Sequence, residues 1–133
     1  MGPMAGQDGE RPDVDQFLQD QIDSIPHLEA LLLLWNSRPK EWSVEEMANA
    51  LYLSPEAAKE ILEDLVRRRL VAAIIGTNVS FRYDPAPDKD ELISALDSTY
   101  RRELIRITRM IHSKPSAAVR AFARAFRIKK DRD

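Results

Sequence analysis

The chain has 133 residues, enough for one domain with appendages and too few for two full-sized domains. Apolar residues at 44% and charged residues at 32% are an ordinary globular balance, and the absence of cysteine excludes disulfides, thiol nucleophiles and thiolate-bound zinc. The net charge of −2 hides an asymmetry: residues 1–53 carry −7, residues 54–100 carry −3 and residues 101–133 carry +8, so a basic tail follows an acidic body.

Residues 1–13 are rich in Gly, Pro and charge and read as a disordered leader. Val14, Phe17, Leu18 and Ile22 then stand at helical spacing, which predicts a short helix or docking arm. Ser24-Ile25-Pro26 starts a helix with a capping hydroxyl and a proline in the first turn. Leu28, Leu31, Leu32 and Trp35 share one face of it, and Leu33 and Leu34 widen the stripe.

Ser43-Val44-Glu45-Glu46 has capping-box spacing and opens a short helix burying Val44, Met47, Ala48 and Leu51. After a turn at Tyr52-Leu53, Ser54-Pro55 caps a third helix whose apolar face is Ala57, Ala58, Ile61, Leu62, Leu65 and Val66. Arg67, Arg68 and Arg69 close it, where cations suit the carboxyl end of the helix dipole. The runs Leu70–Ile75 and Val79–Tyr83, around the turn Gly76-Thr77-Asn78, read as a hairpin. Asp84-Pro85-Ala86-Pro87 is a stiff connector.

A second capping-box spacing at Asp88 opens one long helix over 88–113, striped by Leu92, Leu96, Tyr100, Leu104, Ile107 and Ile111. The stripe would pair with a second copy of the chain or fold back on its own domain, and pairing is the expectation, because six turns exceed what a small body can cover. A last amphipathic helix over 116–130 sets Phe122 and Phe126 against Arg120, Arg124 and Arg127. Such a basic helix suits an acidic protein groove or a phosphate backbone, or it docks to complete the fold. A membrane is disfavoured, because its apolar face is rich in Ala and lacks Trp.

Three helices and then a hairpin make the element order of a winged helix: a mainly α fold with one small β-hairpin. The stretch Ser43 to Leu51, then Ser54 to Ala58, then Leu62 to Leu70 and the Gly76 hairpin, resembles the winged helix-turn-helix regulators of bacteria, broadly the MarR and ArsR types. The passage Val66-Arg-Arg-Arg-Leu-Val71 is similar to the step from recognition helix into first wing strand. The resemblance covers residues 24–84 and implies a domain that includes the arm, residues 14–84.

It further implies a homodimeric transcriptional regulator that binds duplex DNA, and the lack of a disulfide framework and of a signal peptide makes the cytoplasm the expected compartment. Ser54, Glu56, Lys59, Arg67, Arg68, Arg69, Thr77, Asn78 and Arg82 would lie at the DNA. The exposed positions Glu56, Lys59, Glu60 and Glu63 depart from a basic surface, since carboxylates repel phosphates. The competing reading is a winged-helix adaptor that docks a protein through this acidic helix and through Phe122 and Phe126. No phosphate loop, Gly-rich fingerprint or nucleophile elbow occurs. Neither His27 nor His112 shows a metal-ligand companion at helical spacing. A binding protein without cofactor or metal, rather than an enzyme, is expected.

Overall fold

The computed structural model describes residues 13–84 and 89–115. The elements are α1 (Val14–Gln21), α2 (Ile25–Asn36), α3 (Val44–Leu51), α4 (Pro55–Arg67), β1 (Val71–Ile74), β2 (Ser80–Tyr83), α5 (Asp90–Arg102) and α6 (Leu104–His112). The leader up to residue 12 and the basic segment at 116–130, with Phe122 and Phe126, lie outside the described residues.

Helix starts follow the capping chemistry. The Ser24, Ser43 and Ser54 side chains accept from the backbone N–H of His27, Glu46 and Ala57, and Glu46 completes a capping box on Ser43. Asp13 does the same for α1 through Gln16. Behind these caps, Leu18, Ile22, Leu28, Leu31, Leu34, Met47, Leu62 and Leu65 are fully buried in one core. Leu62→Ala in such a core costs about 2–5 kcal/mol.

The hairpin is antiparallel, with Val71 opposite Tyr83 and Ile74 opposite Ser80. The connecting loop is therefore residues 75–79, longer than the expected three-residue turn. Val79 is 43% exposed, because pairing stops at Ser80. Trp42 adds a third rung that the sequence does not signal. Its backbone N–H and C=O both pair with Phe81 at 2.7 Å. The Trp42 indole N–H donates to the Ser37 hydroxyl at 2.9 Å, and the Ser80 hydroxyl donates to Glu41 at 2.8 Å. The wing is thus tied to the connector before α3.

The expected single helix over 88–113 is corrected to two. Glu103 leaves helical geometry (φ −127°, ψ 45°), its backbone N–H closes α5 on the Thr99 carbonyl, and α6 begins at Leu104. The break lets the second half turn onto the body, so Ile93, Leu96, Ile107 and Ile111 are all buried in the chain's own core. Three of the expected dimer residues, Leu96, Ile107 and Ile111, therefore present no surface to a partner. Nor does a side-chain cap open α5: Lys89 stands at the N-cap position without one. The Tyr83 hydroxyl donates instead to Asp90 at 3.1 Å, joining wing to helix.

Two cations clamp the far end of the described residues to α1, one from α6 and one from just beyond it. Arg106 donates to both carboxylate oxygens of Asp15, at 2.9 and 3.3 Å. Lys114 donates to the carbonyls of Leu18 and Ile22 at the end of α1. None of the described helices is long and apolar enough to cross a membrane.

Candidate nucleic-acid interface

α3 and α4 pack on each other across a tight turn made by Tyr52, whose backbone is left-handed (φ 57°, ψ 45°). The Leu53 N–H reaches back to the Ala48 carbonyl at 2.9 Å and closes α3. Ser54 then caps α4, and Pro55 takes a first-turn position where no backbone donor is needed. This geometry sinks Ala58, Ile61, Leu62 and Leu65 into the core and leaves Glu56, Lys59, Glu60, Glu63 and Arg67 in solvent.

The first turns of α3 and α4 meet the wing at a shallow groove lined by Val44, Glu45, Pro55, Glu56, Lys59, Asn78 and Val79. Of the residues expected at DNA, Ser54, Glu56, Lys59, Thr77 and Asn78 are exposed on or beside this groove. Arg82 sits partly buried on β2 and forms no ion pair with another described residue. Ile75, which enters the wing loop, is 76% exposed.

The basic triplet separates into three different roles. Arg68 turns inward and holds the α1–α2 connector, donating to Asp23 at 3.0 Å, to the Asp20 carbonyl at 3.1 Å and to Gln21 at 3.4 Å. A guanidinium held by three acceptors is a positioning group here. Arg67 is exposed and pairs with Asp64. Arg69 is exposed with a left-handed backbone (φ 62°) and closes α4: its N–H bonds to the Val66 carbonyl and that of Leu70 to the Leu65 carbonyl. That pair of bonds is a Schellman motif with Arg where Gly usually stands.

A polar cluster lies at the root of α4, and the sequence does not reveal it. His27, buried in the first turn of α2, brings Nε2 to 2.9 Å from Asp64 of α4, and its Nδ1 lies 2.6 Å from the Ser24 hydroxyl. Burial lowers the imidazole pKa and outweighs the carboxylates of Asp23 and Glu60, while Arg68 and Lys114 push in the same direction as burial. The neutral ring then donates Nε2–H to Asp64 and accepts from Ser24.

Against the expectation that His27 lacks a ligand companion, Asp23, His27 and Asp64 place one potential ligand atom each within 4.8 Å of one another. They could hold a divalent cation. Arg68 and Arg67 already neutralise the two carboxylates, however, so the cluster is balanced as it stands. His112 lies exposed at the end of α6.

No protein-family model matches the chain, and no curated protein matches it. Solved structures do. The Staphylococcus aureus MepR–DNA complex superposes with a TM-score of 0.55 at 13% identity, covering 98% of this chain and 96% of that one. The adhesin competence repressor AdcR of Streptococcus pyogenes gives 0.52 at 13%, covering 97% and 88%. A MarR family protein of Bacillus stearothermophilus gives 0.52 at 19%, covering 97% and 86%. At these identities the likeness fixes the fold: the chain has the MarR-like winged-helix architecture, helices with a two-stranded wing.

Proposed function

We propose that the chain is a DNA-binding transcriptional regulator that works as a winged-helix homodimer. The observation that carries this reading is the open placement of the first turn of α4 beside the wing. Lys59 and Asn78 line the groove there, and Ser54 and Thr77 stand exposed next to its lining residues in sequence. A protein of the same fold has been solved bound to DNA. In this reading Ser54, Lys59, Thr77 and Asn78 approach the duplex, Arg82, Arg67 and Arg69 meet phosphates, and Glu56 accepts from a cytosine amino group.

One specific observation favours a second reading. Glu56, Glu60 and Glu63 form the middle of the exposed α4 face, and carboxylates there oppose phosphates. An adaptor that captures a basic protein through α4 uses the same scaffold. Duplex binding of the full chain at low and near-physiological salt separates the two. A regulator retains binding near physiological salt, and Arg82→Glu weakens it roughly uniformly across sequences while lowering the salt slope by about one. Binding confined to low salt, and indifferent to Arg82, transfers the conclusion to the adaptor.

A further inference from the structure

The hairpin has one covered edge and one bare edge. On the β2 side, Phe81 gives its backbone N–H and C=O to Trp42, both at 2.7 Å. Residues of an antiparallel strand turn these groups alternately to either side, so Ser80 and Arg82 are the ones that bond to β1, at Ile74 and Ala72. The bond from the Asp84 N–H to the Leu70 carbonyl, at 3.4 Å, keeps the same alternation. Val71 and Ala73 therefore turn their N–H and C=O groups to the outer edge of β1, and Ile75 continues the series. Ala73 and Ile75 are exposed, and among the described residues none bonds to Ala73 there.

Natural sheet edges are blunted by charge, proline, a bulge or a covering element. Residues 70–81 carry no charge and no proline, in a chain with 32% charged residues. The register from Val71 opposite Tyr83 to Ile74 opposite Ser80 runs without a bulge, and Trp42 covers only β2. A bare edge of this kind suits its own copy in particular. Like charges directly opposite each other oppose pairing, and this strand meets itself with none.

We propose that β1 pairs, edge to edge and antiparallel, with β1 of a second copy of the chain. Outward groups meet outward groups in such a ladder. The register that uses all three residues sets Ala73 opposite Ala73 on a two-fold axis, and Ile75 of each copy opposite Val71 of the other. The two small side chains at the axis leave the ladder uncrowded, and Ile75, 76% exposed in the single chain, gains a neighbour. No residue of β1 lines the groove between α3, α4 and the wing, so the pairing and the groove use different residues. The contact goes beyond the DNA-binding reading and does not depend on it. Five residues of strand span about 17 Å and cover far less than the roughly 800 Å² per partner of a stable complex. The pairing is thus a second two-fold contact, one that joins homodimers as they are concentrated.

Because the chain has no cysteine, Ala73→Cys places a single thiol on the proposed axis. Opposed residues of a bonded pair lie about 5.5 Å apart at Cα, within the roughly 4.4–6.8 Å that a disulfide spans. Under mild oxidation the full chain with Ala73→Cys should form a two-chain disulfide about tenfold faster than with Ala72→Cys, which faces Ile74 of the other copy, or with Thr77→Cys in the exposed loop. Adding Ile75→Lys to Ala73→Cys, a cation at an exposed site, should bring the rate down to theirs. Equal rates at all three positions, or a rate indifferent to Ile75→Lys, overturn the proposal.

Amide exchange of the natural full chain, read residue by residue by NMR, supplies the second arm. Between micromolar and millimolar chain the Ala73 and Ile75 amides should slow several-fold, while those of Ala72 and Ile74, already bonded to β2, keep their rates. Ala73 and Ile75 amides that exchange alike at every concentration overturn the pairing even where a cross-link forms.

Discussion

At the scale of single residues, His27 links the start of α2 to α4 through Asp64, 37 positions away. Its pKa is lowered in the folded chain, chiefly by burial, from an ordinary value of 6.5. A group that binds its proton less readily when folded stabilises the fold fully above its unfolded pKa. That contribution is lost as pH falls below about 6.5, because the unfolded chain then takes up the proton first. Chemical denaturation between pH 8 and 5 (about the window in which a His titrates) checks this. The natural chain should lose stability toward the acid end, and His27→Gln should lose less. Equal slopes would remove His27 from the pH response. Tyr83 offers a second residue-scale expectation. Its ring packs edge-on against Trp35 at 5.0 Å, and its hydroxyl, its pKa pushed up by burial and by Asp90, donates to that carboxylate. Tyr83→Phe keeps the ring and should cost about 0.5–1.5 kcal/mol in a urea titration. A neutral change would show Asp90 finding water instead.

At the scale of elements, local caps make the beginnings of helices legible, and the left-handed geometry of their ends is hidden. Ser24, Ser43 and Ser54 announce α2, α3 and α4 because a hydroxyl at an N-cap has a local task, readable three residues ahead. The ends of α3 and α4 carry Tyr52 and Arg69 in left-handed geometry, where Gly would have been the signal. That gives a direct stability expectation. Arg69→Gly removes the left-handed penalty, offset in part by the greater freedom of Gly in the unfolded chain, for a net gain of about 0.5–1 kcal/mol. Thermal unfolding reads the gain, and a loss of stability would mean that the Arg69 side chain carries a contact of its own. The break at Glu103 was hidden for a different reason: Tyr100, Leu104 and Ile107 keep helical spacing straight through it. Spacing reports which residues share a face of a continuous helix, and it does not report that the helix turns. The candidate site divides the same way. The exposure of Ser54, Lys59, Thr77 and Asn78 follows from local pattern. The inward role of Arg68 and the meeting of His27 with Asp64 depend on tertiary placement that no local spacing encodes.

At the scale of the whole molecule, the turn at Glu103 decides what remains for a second copy of the chain. Burial of Leu96, Ile107 and Ile111 within the monomer leaves Leu104 at 51% and Ile105 at 67% exposure, adjacent at the outer corner of the break. Two neighbouring aliphatic side chains in water are poor monomer design, and a two-fold axis through that corner would cover the same patch on both copies at once. The homodimer of the proposed regulator is therefore expected to close on Leu104 and Ile105, not on the inner stripe that the periodicity suggests. Light scattering of the full chain should give twice the mass of one chain. Leu104→Lys with Ile105→Lys should give one chain's mass, with the helical signal kept, because both side chains already stand more than half exposed. DNA affinity should fall with it, since two linked readers bind far more tightly than one. A natural chain of single mass would sink the dimer. A doubly charged variant that stays paired would move the interface elsewhere, and one that unfolds would show the corner serving the monomer's own core.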